Sequence, residues 1–166
     1  MKNMNLKLMI EIEVQNPFDF TSVPDNKELQ SWVEASIQDD FNEAGEVLSM
    51  VVRFVDEEEG LSLNQTYRNK KSATNVLSFP FEIPDIPELI DESSLAQHLG
   101  DLVLCEPVVV KEAQQQIKRL QQHWAHLLIH GTLHLQGFDH QNDTDATAME
   151  SLEVKILKNL GFDNPY

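Results

Sequence analysis

The stretch that most constrains the chain is HGTLHLQGFDH, running from His130 to His140. Histidines occupy its first, fifth and eleventh positions, and a glycine its eighth. It follows LQQHWAHLLI, an apolar run without glycine or proline, which predicts a helix continuing to about Leu135. On that helix His130 and His134 lie one turn apart and share a face. Gly137 can adopt the left-handed conformation that commonly ends a helix, so the chain can turn back and carry His140 towards the pair. Three imidazoles converging on one point, with the fourth vertex left to water, is how a catalytic zinc is held. The expectation is one Zn2+ per chain on His130, His134 and His140.

Two other readings are weaker. A lone histidine on an apolar helix face is more often a hydrogen-bonded core residue than a ligand, but the helical pair, the glycine and the third histidine agree with one another. His126, His130 and His134 could form a set instead, yet three positions four apart span about 12 Å of helix rise. That is too far for one ion with bonds of about 2.0–2.1 Å. His98, His123 and His126 are therefore read as structural or surface residues. The spacing also resembles the zinc-protease signature H-E-x-x-H-x-x-G-x-x-H, except that Gly131 stands where those enzymes keep a glutamate base. Glycine cannot take a proton from water, which argues against proteolysis.

At 166 residues the chain is read as a single domain over residues 1–166, large enough to bury a core without disulfides. The single cysteine, Cys105, sits in the apolar run LVLC and is expected to be buried in a strand. The N-terminal apolar residues alternate with polar ones and do not form a signal-peptide block, and no stretch approaches the roughly 20 apolar residues that span a bilayer. No membrane association and a cytoplasmic location are expected. A net charge of −16 argues against general affinity for nucleic acid, so any phosphate-binding surface must be local. The dense basic stretch is Arg68, Lys70 and Lys71, seconded by Lys118 and Arg119. By charge alone it reads as a solvated loop.

Alternating Leu6, Leu8, Ile10, Ile12 and Val14 predict a strand over about 5–15. Pro24 and Asp25 open a helix with Leu29, Trp32, Val33, Ile37 and Phe41 at helical spacing. Residues 46–55 read as a second strand with Leu48, Met50, Val52 and Phe54 on one face. Asp56 caps a short helix through Leu61, Leu63 and Tyr67, and VLSFPF at 76–81 is a third strand. Residues 82–99 form an acidic, proline-containing loop that could lie over a cleft, and LGDLVLC at 99–105 is a fourth strand. Residues 107–135 read as helical with a break near Gln116–Arg119. Asp143 or Asp145 caps a last helix, which is lined by Met149, Leu152, Ile156, Leu157 and Leu160 and ended by Gly161. The fold class is α+β: an α/β sandwich with a mixed sheet of about four strands and about five helices.

Four separated stretches, LNQTYRNK at 63–70, TNVLSFPFE at 74–82, LGDLVLC at 99–105 and HGTLHLQGFDH at 130–140, together resemble the signatures of the YbeY endoribonucleases of bacteria. Their order and rough spacing are similar too. The resemblance implies a fold related to that of the zinc proteases and one zinc on His130, His134 and His140. It implies an arginine needed for activity, matching Arg68. The activity it implies is metal-dependent cleavage of single-stranded RNA in ribosomal RNA maturation, including the 16S rRNA 3′ end, and in ribosome quality control at the small subunit. Where many members read K-D-x-P-T-D, this chain has Lys70, Lys71, Ser72, Ala73, Thr74 and Asn75.

Zinc on three neutral imidazoles polarises a phosphoryl oxygen and brings a bound water's pKa to about 7. Arg68 could bind two non-bridging oxygens as negative charge builds on phosphorus. Its blander alternative is a surface ion pair with Glu57–Glu59. Asp139 could serve as a base or orient a histidine. Two rival functions stand beside the nuclease: a zinc-dependent peptidase or amidase with a replacement base, and a non-catalytic ribosome-binding protein with a structural zinc.

Overall fold

The computed structural model describes residues 9–38, 47–81 and 98–166. Strand β1 (Ile10–Gln15) leads to helix α1 (Asn26–Ser36), β2 (Leu48–Val55), α2 (Glu57–Arg68), β3 (Val76–Pro80) and β4 (His98–Cys105). Helices α3 (Glu106–Gln115), α4 (Leu120–Leu135) and α5 (Asp143–Asn159) follow. The sheet runs β1-β2-β4-β3, with β1, β2 and β4 parallel and β3 antiparallel to β4 at the edge. These four strands and five helices are the mixed α+β architecture expected.

Strand alternation sends alternate side chains to opposite faces. Leu48, Met50, Val52 and Phe54 of β2 and Leu102 and Leu104 of β4 join the main core. The same core holds Leu29, Trp32 and Val33 of α1 and most of α4. Phe54 meets Trp124 edge to face at 5.5 Å, a contact worth about 0.5–1.5 kcal/mol beyond its buried area. On the other face Val55, Leu77, Val103 and Cys105 pack with Leu63 of α2. Burial pushes the Cys105 thiol up to about 11, so it is an inert core residue.

Helix α4 buries much of its surface, because it packs against the sheet and the other helices, and leaves one polar stripe uncovered. Its packing against the sheet explains Gly131. A Cβ there would meet Leu102 Cδ2 at 2.8 Å and Ser78 Oγ at 3.3 Å. The position that carries a base in the zinc proteases is here a backbone contact with β3 and β4.

The ends of the elements have local causes. Asp25 and Glu28 form a reciprocal capping box on α1, worth about 1 kcal/mol. That helix stops at Ser36 because Ile37 is extended; Phe41 and Leu6 and Leu8 lie outside the described residues. Asp56 caps α2 as expected. The break between α3 and α4 falls at Gln116–Arg119, where Ile117 takes φ 54°. One expectation is corrected at α5: its N-cap is Asn142, whose side chain accepts from the Asp145 amide. Asp143 and Asp145 instead occupy the first turn, where their charges meet the positive end of the helix dipole. Residues 98 and 99 belong to β4, and the rest of the proposed acidic loop, 82–97, lies outside the described residues. Among the described residues no helix is long and apolar enough to cross a membrane.

Candidate metal centre and its cleft

Every fourth residue of α4 from Gln122 projects to one side, giving the stripe Gln122, His126, His130 and His134. The last of these reaches the helix end. There the Phe138 amide donates to the Leu133 carbonyl and the Gly137 amide to that of His134, with Gly137 at φ 98°. These two bonds make a Schellman motif, and the reversal returns the chain over the stripe. His140 arrives beside the pair, its ring 5.6 Å from that of His130 and 5.1 Å from that of His134. Its amide donates to the Asp139 carboxylate at 2.7 Å, which steadies the turn.

The result is a cluster in which His130, His134 and His140 each offer a ring nitrogen, all within 4.8 Å of one another. The Nε2 atoms of His130 and His134 are 3.1 Å apart. Two nitrogens bound tetrahedrally at about 2.0–2.1 Å would stand at about 3.3 Å, so the spacing fits a shared ion. Three imidazole nitrogen donors, with no fourth protein ligand in the cluster among the described residues, match a site that keeps a vertex for solvent or substrate. Burial holds His134 below the usual histidine range, and nearby His130 and His140 add to this; a backbone hydrogen bond with Phe138 opposes it. A ring kept neutral is a ring ready to bind a metal.

Glu153 and Tyr166 lie behind the cluster and were not singled out from sequence. Glu153 is fully buried on α5. It accepts from His130 Nδ1 at 2.5 Å, from His126 Nε2 at 2.9 Å and from the Tyr166 hydroxyl. Burial alone would raise its pKa, but these donors outweigh it and bring the carboxyl down to about 2. A signal was present: Glu153 falls inside the apolar stripe Met149–Ile156–Leu157, where an acid requires a partner.

The histidines line an open cleft of about 1130 Å³ that also receives Tyr67, Arg68, Phe81 and Asp139. Arg68 ends α2, which is closed by Asn69 in the left-handed conformation. Buried Asn64 holds the following loop by donating to the Ser72 carbonyl at 2.6 Å. In LNQTYRNK, then, Asn64 shapes the turn and Arg68 enters the cleft. The alternative ion pair with Glu57–Glu59 is disfavoured, because those acids lie in the first turn of the helix whose last residue is Arg68, and Glu59 is occupied by Arg53 through bonds of 2.6 and 3.0 Å. The other basic residues do not join Arg68: Lys118 donates to the Pro165 carbonyl, and neither it nor Arg119 lines the cleft.

The remaining histidines have local partners. His98 lies between Ser49 and Asp101 at 3.0 and 3.2 Å, and His123 donates to Glu112. Asn75 also donates to Glu112, at 3.0 Å. An aspartate there would set two carboxylates against each other.

Fold and site together define an α+β protein built around a three-histidine, metal-suited cleft. Comparison with known proteins gives the family. Residues 13–161 match the family described as Endoribonuclease YbeY, and the chain belongs to it. It is 48% identical to the Endoribonuclease YbeY of Pseudomonas putida, across 95% of this chain and 94% of that one. It is 45% identical to that of Colwellia psychrerythraea, across 93% and 96%. The solution structure of TM1509 from Thermotoga maritima has the same fold, with a TM-score of 0.51 at 21% identity over 92% of this chain and 91% of that one.

Proposed function

We propose that this protein is a zinc-dependent endoribonuclease that cuts single-stranded RNA, with ribosomal RNA on the small ribosomal subunit as its substrate. The observation that carries the reading is the opening of Arg68 and the three-histidine cluster into one cleft. His130, His134 and His140 would hold the zinc, which supplies Lewis-acid polarisation of the phosphate and activation of water. Arg68 presents a planar, permanently charged fork to two non-bridging oxygens and stabilises the charge that grows on them. Being exposed, its side chain reaches a strand in the cleft without first breaking an ion pair with the α2 acids.

Single-strand preference is supported by the aromatic side chains that share the cleft with Arg68. Tyr67 is 65% exposed and Phe81 40% exposed in the same cleft. Their faces suit stacking by unpaired bases, which a duplex would keep stacked on each other. A peptidase reading loses support because Gly131 supplies no base at that position of α4, where a side chain would crowd Leu102 and Ser78.

The test is cleavage of a single-stranded oligoribonucleotide by zinc-loaded protein. Arg68→Ala should keep its zinc and lose about 10²–10³-fold in rate. Zinc loss in that variant would make Arg68 a structural residue. Analysis of the product ends then separates attack by water from attack by the 2′-hydroxyl, since only the latter leaves a 2′,3′-cyclic phosphate.

A further inference from the structure

The segment after α5 is docked along the histidine stripe. Gln122 Nε2 donates to the Asp163 carbonyl at 3.3 Å, and Lys118 Nζ to that of Pro165 at 3.0 Å. The Tyr166 amide donates to Asn164 Oδ1 at 2.8 Å, and its ring meets His126 edge to face at 5.3 Å. These contacts fix where the Tyr166 hydroxyl falls: on Glu153 Oε1, within 3.2 Å of His126 Nε2. Tyr166 as a whole residue is nonetheless 61% exposed at the cleft wall, so its position rests on these polar contacts more than on burial.

The consequence follows from hydrogen-bond roles. An ionised carboxylate only accepts, so His130 carries its proton on Nδ1 and presents the Nε2 lone pair to His134 and His140. The same carboxylate fixes the plane of the ring. Glu153 can do this only while it is held in one rotamer in a fully buried place, where both oxygens need donors. His130 occupies Oε2; His126 and Tyr166 occupy Oε1.

We infer that Glu153 and Tyr166 are positioning residues of the metal site, with Glu153 setting the tautomer and plane of His130 and Tyr166 holding Glu153 in place. This rests on the metal-binding part of the proposed function, and none of it depends on RNA being the substrate. It makes residues 163–166, which lie outside the region matched by the family, a part of the centre in this chain.

The experiment measures zinc affinity by competition with a chromophoric chelator, alongside the melting temperature of the metal-free protein. Glu153→Gln preserves volume and should weaken zinc binding about 10–100-fold. Tyr166→Phe removes one oxygen from an exposed residue, is expected to fold, and should weaken binding by about tenfold, the lower end of that range. In Tyr166→Phe the loss of one hydrogen bond to the buried carboxylate should lower the metal-free melting temperature modestly. The zinc affinity of the still-folded protein, read well below that temperature, should fall as well, which a purely structural role would not produce. Glu112→Gln, which disturbs the other histidine–carboxylate pair of α4, should lower the melting temperature and leave zinc affinity alone. Zinc affinity within twofold of wild type in Tyr166→Phe would overturn the role of Tyr166, and the same result in folded Glu153→Gln would overturn that of Glu153. Wild-type protein that binds zinc but cuts no RNA would instead defeat the nuclease reading and leave this inference standing.

Discussion

Near the start of α4, His123 donates to Glu112 at 2.9 Å; about two turns on, His130 donates to Glu153 at 2.5 Å. Both carboxylates would be raised by burial, and both are instead held low by their donors. In residue type the two pairs match. They differ in what the second ring nitrogen of the histidine faces. His123 is 4% exposed, and its Nδ1 is buried without a hydrogen-bond partner among the described residues. Its carboxylate also takes Asn75, so the pair ties α3, α4 and the loop before β3 together. His130 turns Nε2 into a cleft, where two further imidazoles meet it. A histidine–carboxylate pair therefore marks a strut or a site according to where the free nitrogen lies.

The widest separation between the two regions should come from removing each histidine. His130→Ala is expected to cost more than the roughly 100-fold in metal affinity that loss of an outer partner can cause, and to abolish RNA cleavage. His123→Ala should retain its metal and lose stability. Metal analysis and thermal melting of both variants check this, and metal loss in His123→Ala would collapse the distinction.

A smaller effect sharpens the structural side. Glu112→Ala leaves His123 buried with neither ring nitrogen bonded and should destabilise by about 1–3 kcal/mol in denaturant titration. Its dependence on pH has a definite sign. The folded carboxyl of Glu112 titrates below its ordinary value, so its contribution is fully present above about pH 4.5 and is lost as pH falls through the lowered value. The stability gap between wild type and Glu112→Gln should therefore be wide at neutral pH and close in acid. A gap that widens in acid would contradict the assignment.

The convergence of the three histidines was legible because it is local. His130 and His134 are related by helix periodicity and His140 by a glycine-ended turn, all within eleven residues. Strand faces were equally legible, since Leu48, Met50, Val52 and Phe54 alternate and all become buried. What escaped depends on contacts between distant segments. Glu153 stands 23 residues from His130. Gln122 and Asp163, 41 apart, meet through a docked tail that no periodicity describes. The N-cap of α5 lies one residue before the first of its two expected positions, because Asn142, Asp143 and Asp145 are all competent caps and backbone geometry chose the first. Gly131 was legible as the absence of a base, but its packing against Leu102 needed the sheet.

The most direct test of the account is anomalous scattering at the zinc edge from crystals of the zinc-loaded protein. One peak is predicted, at bonding distance from Nε2 of His130 and His134 and from a ring nitrogen of His140, with the fourth vertex held by solvent. A peak at His123 or His98, or a protein side chain closing that vertex, would contradict it.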